Sequence, residues 1–94
     1  MSWESSILYE EIINTETRRR LGGSHSADLV IRSYDFAAVE ALQQAGDWAA
    51  AGNMLARDAV RLVDAGAECV LLCTNTMHRV APAVEAAIEV SCTT

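Results

Sequence analysis

The sequence predicts an α/β fold in which a partial, Rossmann-like parallel sheet is layered with helices. Three observations support this prediction. Helical and strand patterns alternate along the chain in the order helix, strand, helix, helix, strand, helix, as in parallel α/β sheets. The strand segments are mostly apolar, which is typical of strands that are covered on both faces. Each of the first three helical segments begins after a serine or an aspartate and ends at a glycine, as capped helices do.

The first helix is predicted to start after Ser2 or Ser5, since either side chain can cap it, and to end at Leu21 before a Gly-Gly pair. Arg18–Arg20 forms the chain's one basic cluster and falls in the last turn, where cations complement the helix dipole. We therefore expect a structural role for this cluster rather than a binding role. Apolar residues keep a helical spacing along this segment: Trp3, Ile7, Leu8, Ile12 and Ile13.

The middle of the chain is predicted to hold one strand and two helices. Residues Ala27–Ser33 have the apolar pattern of a short buried strand. Asp35 can cap a helix over Phe36–Ala45, and Asp47 can cap a longer helix over Trp48–Ala65. We expect the two tryptophans to anchor the core. The predicted inner face of the longer helix comprises Trp48, Ala51, Leu55, Ala59, Leu62 and Val63.

The last third of the chain is predicted to contain a strand over Cys69–Cys73 and a helix over Met77–Ala87, whereas no clear structure is predicted for the tail Val90–Thr94. Two strands cannot cover the apolar faces of four helices. The first helix also begins at residue 2 without a strand before it. Both observations predict that the chain is a piece of a larger fold.

Composition excludes several classes of function. The 94 residues carry a net charge of −6, and arginine supplies all 7 basic residues. An acidic chain without a basic stripe argues against nucleic acid and anionic membranes as partners. We see no signal peptide and no membrane span. Three cysteines without Cys/His metal spacing predict reduced thiols, no metal site and a cytoplasmic protein.

The end of the second predicted strand is the strongest candidate for a functional site. Cys73 would lie at the carboxyl-end tip of this strand, where open α/β sheets hold their ligands. The N–H groups that open the next helix could lower the pKa of this thiol and could bind a carboxylate. A strand-end cysteine can equally pack as a small apolar side chain. The local pattern leaves both interpretations open.

The sequence contains three other candidate arrangements of reactive residues. Cys73 and His78 could form a hydrolase dyad, but no third residue that would orient the histidine is evident. His25 follows two glycines in a loop and is expected to be solvated rather than to bind a ligand. The carboxylates of the first helix form a charged face and not a paired acid–base site.

Several short motifs give the chain a resemblance to a known family. The segments Met1–Ser5 (MSWES), Leu21–Ala27 (LGGSHSA), Ser33–Phe36 (SYDF), Gly46–Trp48 (GDW) and Leu72–His78 (LCTNTMH) carry it. With these segments, the chain resembles the N-terminal half-domain of the aspartate/glutamate racemase family. The resemblance runs from Met1 to about residue 89, and the CTNTMH block is its most specific part.

The resemblance implies a cofactor-independent amino-acid racemase in which two cysteines exchange the α-proton on opposite faces of the substrate. It implies that residues 1–89 are an incomplete N-terminal half-domain and that residues 90–94 are a divergent tail. The family's first strand and its second half-domain, with the second catalytic cysteine, are expected to be missing. Cys92 lies outside the second cysteine's motif and does not take that role. We therefore expect this chain to be inactive alone.

Site residues follow from the same resemblance. Cys73 corresponds to the family's first catalytic thiol. Thr74, Asn75 and Thr76 correspond to the loop that holds the substrate's α-carboxylate, and Met1 corresponds to a methionine that lines the pocket. Ser33 follows a predicted strand and is a further candidate for contact with the substrate, while Asp35 is better explained as a helix cap.

Two functions of other classes remain open. The chain could be a non-catalytic fragment or an oligomerising module that pairs with itself or with a separately encoded second half, through an exposed sheet edge and uncovered helices. It could also be a free-standing thiol enzyme that uses Cys73 and His78. The interpretation as a racemase implies a small amino-acid substrate and no cofactor. It is compatible with a homo-oligomer.

Overall fold

A computed structural model of the chain describes residues 2–74 and 76–93. It confirms an α/β architecture with a small parallel sheet. The elements in chain order are helix α1 (Trp3–Leu21), helix α2 (Phe36–Ala45), helix α3 (Trp48–Asp64), strand β1 (Cys69–Leu71), a short 3₁₀ helix (Thr76–Val80), helix α4 (Ala81–Ala87) and strand β2 (Ser91–Thr93).

The predicted aspartate caps begin α2 and α3, whereas the predicted serine cap of α1 is wrong, because Ser2 makes no side-chain capping hydrogen bond and Ser5 lies inside the helix. The Asp35 carboxylate accepts a hydrogen bond from the Ala37 N–H at 3.2 Å, at the start of α2. The Asp47 carboxylate accepts one from the Ala50 N–H at 3.1 Å, at the start of α3. Gly22 ends α1 with a φ of 73°, a backbone conformation that favours glycine. Its N–H donates to the Arg18 carbonyl oxygen at 2.7 Å, so that the turn closes the helix.

The sheet consists of β1 and β2, which pair in parallel with Cys69 opposite Ser91 and Leu71 opposite Thr93. The absence of clear structure predicted for Val90–Thr94 is therefore wrong within the described residues. This tail pairs with β1 because α4 returns the chain alongside that strand, and short polar residues can join a ladder when a partner strand lies beside them. The division of the chain at residue 89 stays a prediction.

The strand predicted over Ala27–Ser33 is also wrong. These residues form no ladder, and no backbone hydrogen bond joins residues 28–32 to the rest of the described chain. The cause is the lack of a neighbouring strand, because a strand is defined by its partner as well as by its residues. The Ala27 N–H donates instead to the Asn14 side chain of α1 at 2.8 Å.

The core lies between α3, α4 and the residues that follow β1. Its buried side chains are small or of medium size, which permits close helix packing. The cluster comprises Val39, Ala51, Leu55, Ala59, Leu72, Met77, Val80, Ala81 and Val84. Trp48 packs against this core, as predicted for an anchor. The Arg79 guanidinium lies over the Trp48 ring, 4.0 Å from the ring centroid. Trp3 does not anchor the core, because it is 61% exposed and α1 has no buried residue.

Gly52 is buried where α3 packs against α4. A Cβ at this position would lie 3.3 Å from the Ala83 Cβ and 3.6 Å from the Val80 Cβ. We expect Gly52→Val to lower the free energy of unfolding by about 1–3 kcal/mol, because the added atoms overfill a packed interface. Urea denaturation measures this change. Ala49→Val, on an exposed position of the same helix, is the matched control; equal midpoints for the two variants would contradict the close packing.

Candidate active site

Cys73 lies two residues beyond β1, at the strand's carboxyl end, where the sequence predicts it. The side chain is half-buried, and its Sγ is 3.9 Å from the Leu71 carbonyl oxygen. Leu72, the residue before it, is buried in the core and holds the strand end in place. The thiol is therefore positioned by a packed neighbour at the edge of the core.

Thr74 turns the chain from the strand into the 3₁₀ helix. Its N–H donates to the Leu72 carbonyl oxygen at 3.0 Å, and its Oγ1 accepts from the Met77 N–H at 3.4 Å. The Thr74 hydroxyl proton can therefore still be donated to a ligand. Thr76 opens the 3₁₀ helix and is exposed. The structure thus places three residues of the predicted site, Cys73, Thr74 and Thr76, at one strand end.

The structure does not place the other three predicted site residues beside Cys73. Met1 and Asn75 lie outside the described residues. Ser33 is exposed, and its carbonyl oxygen accepts a hydrogen bond from the Arg32 guanidinium at 2.9 Å. Ser33 is also not among the residues that line the groove reaching Cys73. Its contact with a substrate stays a prediction.

Burial raises the pKa of the Cys73 thiol above its ordinary value. The expectation of a thiol that ionises near neutral pH therefore does not hold for this chain. Desolvation of the sulfur disfavours the thiolate, and the helix that follows starts with a short 3₁₀ segment. The resting form at neutral pH is the protonated thiol, which is the form that can return a proton to a carbanion.

The raised pKa predicts how Cys73 reacts with alkylating reagents. In a Cys69→Ser/Cys92→Ser double variant, Cys73 is the single cysteine, and we expect its iodoacetamide alkylation at pH 7.5 to be slower than that of N-acetylcysteine. Because the thiolate is the nucleophile, the alkylation rate of Cys73 should still rise at pH values where an ordinary cysteine is already fully ionised. Mass spectrometry across a pH series measures this. Alkylation of Cys73 that is faster than that of N-acetylcysteine at neutral pH would contradict the prediction.

A groove, here called the central groove, has Cys73 among its lining residues. Its volume is about 780 Å³. Its lining includes segment 28–32, β1 and residues 72 and 73. The C-terminal half of α3 and one face of α1 complete it.

A charged cluster lies beside the central groove, and the sequence analysis did not find it. Asp58 is 2% exposed, accepts a hydrogen bond from the Tyr34 hydroxyl at 2.7 Å and pairs with Arg61 at 3.1 Å. The carboxylate also lies 3.5 Å from the Arg32 Nε and 4.0 Å from the Arg57 Nε. Burial alone would raise the Asp58 pKa, but the Tyr34 hydrogen bond and the three arginines lower it overall.

The same cluster raises the pKa of Tyr34 above its ordinary value, through desolvation and through the hydrogen bond to Asp58. The cluster ties the otherwise unpaired segment 28–34 to α3. One signal in the sequence could have revealed it, because Asp58 occurs among the apolar residues of α3 at a spacing that faces inward. An inward carboxylate requires partners, and Arg61 is one turn away.

Arg19 and Arg20 have a structural partner, as expected for the basic cluster. Both guanidiniums contact the Glu16 carboxylate, at 2.6 and 2.8 Å, and lower the pKa of Glu16 to about 2. All three side chains are on the surface of α1. Their pairing supports the helix end rather than a binding patch.

Within residues 2–74 and 76–93, no three His, Cys, Asp or Glu side chains converge as a metal site would require. The three cysteines form no disulfide in this part of the chain. No described helix is both long and apolar enough to cross a membrane.

Comparison with known proteins assigns the family. Residues 1–94 match the family model described as Asp/Glu/Hydantoin racemase. The chain belongs to this family. This racemase-family chain is also similar to a crystal structure from Yersinia pestis, of a protein proposed to be an Asp/Glu racemase, with 46% sequence identity and a TM-score of 0.94. The match covers 97% of this chain and 40% of the Yersinia chain.

The resemblance inferred from the sequence motifs is thereby confirmed at the level of the family and of the α/β fold. The racemase-family chain spans 40% of the length of the structure it matches. More than half of that related protein therefore has no counterpart in these residues. The activity of a whole racemase and the roles of individual residues belong to the proposal that follows.

Proposed function

We propose that this chain supplies one face of the active site of a cofactor-independent aspartate/glutamate-type racemase. The position of Cys73, half-buried at the carboxyl end of β1 in a chain of this family, is the observation that supports the proposal. The substrate would be a small amino acid that lies against this strand end. No cofactor takes part in the proposed reaction.

Cys73 would act as an acid–base group at the substrate's α-carbon. In one direction its thiolate takes the α-proton, the C–H bonding electrons stay on the substrate as a carbanion delocalised into the carboxylate, and the sulfur becomes a thiol. In the other direction the thiol returns a proton to that carbanion. Inversion requires a second acid on the opposite face, and the family resemblance places that second cysteine in the other half-domain.

Residues after Cys73 would hold the substrate carboxylate. The Thr74 hydroxyl can donate to it while Oγ1 still accepts from the Met77 N–H. Asn75 and Thr76 would add amide, hydroxyl and main-chain donors, which stabilise the negative charge that develops during proton removal. Met1 and Ser33 would be further contacts with the substrate. Cysteines without disulfides are consistent with a cytoplasmic site of action.

The chain alone offers a single acid–base face, so we expect no inversion of aspartate or glutamate by the purified 94-residue protein. Each enantiomer is incubated in D₂O, and chiral chromatography with mass spectrometry measures inversion together with deuterium at Cα. Inversion that is lost in Cys73→Ser and kept in Cys69→Ser would overturn the one-face assignment. The control is matched because Cys69 is an exposed cysteine at the start of β1, the strand that Cys73 follows.

A second function, that of a non-catalytic oligomerising module, is favoured by the surface of α1. The helix has no buried residue, and the large apolar side chains at positions 3, 7, 8 and 12 are 51–66% exposed. Such a row is typical of a surface that another polypeptide covers. Light scattering distinguishes self-association from pairing with a separate second half. A monomer at all concentrations would contradict self-association, so that only pairing with a second half would explain the exposed row.

A further inference from the structure

Three arginines converge on the single buried carboxylate of Asp58. The Arg61 Nη1 lies 3.1 Å from its Oδ1, the Arg57 Nε lies 4.0 Å from the same oxygen, and the Arg32 Nε lies 3.5 Å from its Oδ2. Within residues 2–74 and 76–93, no other carboxylate forms an ion pair with these three guanidiniums. Three positive charges therefore surround one negative charge, which leaves two positive charges unbalanced.

The carboxylate of Asp58 does not itself require three arginines. The Tyr34 hydroxyl donates a hydrogen bond to Oδ2 at 2.7 Å, and Arg61 donates one to Oδ1 at 3.1 Å. Both oxygens thus accept a hydrogen bond, and Arg61 supplies the one cation that a buried carboxylate needs. The charges of Arg32 and Arg57 exceed what the folding of this region demands.

The three guanidiniums remain open to solvent, although the carboxylate between them is not. The side chains of Arg32, Arg57 and Arg61 are 44%, 62% and 67% exposed, whereas that of Asp58 is 2% exposed. Arg57 and Arg61 lie one turn apart on α3, a spacing at which like charges repel. An anion bound between their outward N–H groups would relieve this repulsion. The surplus is local, because the whole chain carries a net charge of −6.

Arg32 is held in place before any ligand arrives. Its guanidinium lies over the Tyr34 ring, 4.2 Å from the ring centroid, and its Nη1 donates to the Ser33 carbonyl oxygen at 2.9 Å. Its Nε points to Asp58, so the Nη2 group has no partner among the side chains and carbonyls that the structure describes. A guanidinium fixed in this way loses little conformational entropy when it binds an anion.

We propose that Arg32, Arg57 and Arg61 form a binding site for a small dianion of the phosphate-monoester class. A dianion balances the two surplus charges, whereas a monocarboxylate balances only one. Phosphate oxygens also match the paired N–H donors of guanidinium groups. A nucleic acid does not fit, because its backbone requires a longer basic surface. None of these arginines belongs to the proposed substrate site, so the proposal is independent of the racemase function.

Titration of the 94-residue protein with phenyl phosphate tests the proposal. At pH 7.0 this ester is mostly a dianion, since the second pKa of phosphate monoesters is about 6. Calorimetry measures the affinity, and NMR shifts of the backbone amides locate the site. We expect saturable binding with a dissociation constant of about 1 mM, and shifts centred on residues 31–33 and 57–61. Sodium acetate at equal ionic strength should bind at least tenfold more weakly.

Two variants separate a built site from general attraction between charges. Arg57→Gln leaves both hydrogen bonds of Asp58 in place and should weaken phenyl phosphate binding at least fivefold. Arg32→Lys keeps the charge but loses the paired donors, and it should weaken binding by a similar factor. Arg18→Gln is the matched control, because Arg18 is an exposed arginine on α1 and its loss changes the net charge equally.

Four results would each overturn the proposal. They are equal affinities of Arg57→Gln and Arg18→Gln, equal binding of acetate and phenyl phosphate, shifts that rise linearly without saturation, and shifts centred outside residues 31–33 and 57–61. Thermal melts of both site variants check their folding. If Arg32→Lys fails to fold, Arg57→Gln still decides the question, because its side chain is 62% exposed and donates no hydrogen bond to Asp58.

Discussion

Replacement of Cys73 by serine is expected to reduce racemisation 10²–10⁴-fold, the range typical of a lost general acid or base. The measurement requires both faces of the active site. We therefore replace the matching 40% of the Yersinia protein by this chain, so that the rest of that protein supplies the other face. The backbones agree at a TM-score of 0.94, which makes the exchange feasible. Serine keeps the size of the side chain but cannot ionise in the working pH range.

The controls for this experiment are a second cysteine of this chain and the parent protein. Cys69→Ser in the chimera should retain the rate of the unsubstituted chimera, since Cys69 is exposed and lies at the start of β1, four residues before Cys73. The parent Yersinia protein supplies the reference rate. An active chimera that tolerates Cys73→Ser would remove the thiol from the mechanism. Loss of activity in Cys69→Ser as well would indicate that the strand itself had been damaged.

Replacement of Asp58 by alanine is expected to destabilise the fold by about 2–3 kcal/mol at neutral pH, the loss of hydrogen bonds to a charged acceptor. For a chain of this size the melting temperature should fall by roughly 8–20 °C. The carboxylate is buried and accepts from the Tyr34 hydroxyl and from Arg61. Its removal releases segment 28–34 from α3 and leaves the Tyr34 hydroxyl without its acceptor.

The pH dependence of this effect has a defined sign. The Asp58 pKa is lower in the folded chain than in the unfolded one, so its contribution is present above the unfolded value of about 3.9 and disappears as pH falls through the lower, folded value. The difference between wild type and Asp58→Ala should therefore shrink in acid. Thermal melts from pH 7 to pH 2 measure it, with the exposed Asp64→Ala on the same helix as control. A constant difference across this range would show that Asp58 acts through packing and not through its charge.

Local patterns predicted the helices well because the signals that begin and end a helix lie within it. Asp35 and Asp47 cap the helices that they were expected to cap, and Gly22 ends α1. The strands were less predictable. Residues 27–33 have strand-forming side chains but no partner, whereas residues 91–93 pair with β1 although their side chains carry a weak signal. Pairing is a property of two segments, so neither segment alone contains the answer.

The candidate site was likewise predictable only in those features that depend on neighbouring residues in the sequence. The order of residues 72–74 was enough to place Cys73 at a strand end, because an apolar run that stops at small polar residues marks the tip of a buried strand. The direction of its pKa shift could not be read in this way. That direction depends on how far the neighbouring elements bury the sulfur, whereas the N–H groups of the next helix suggested the opposite sign. Asp58 was missed because two of its partners, at positions 32 and 34, come from a segment distant in the sequence, and only Arg61 lies on its own helix.

The open position of α1 makes the stability of the chain uneven. A helix without a buried side chain has little to lose when it detaches, so it can open at far lower cost than the cluster formed by α3 and α4. A protease would therefore reach the bonds of α1 in molecules whose core is still intact. In a cell, the first cleavage of this protein would follow from the opening of α1 rather than from unfolding of the whole.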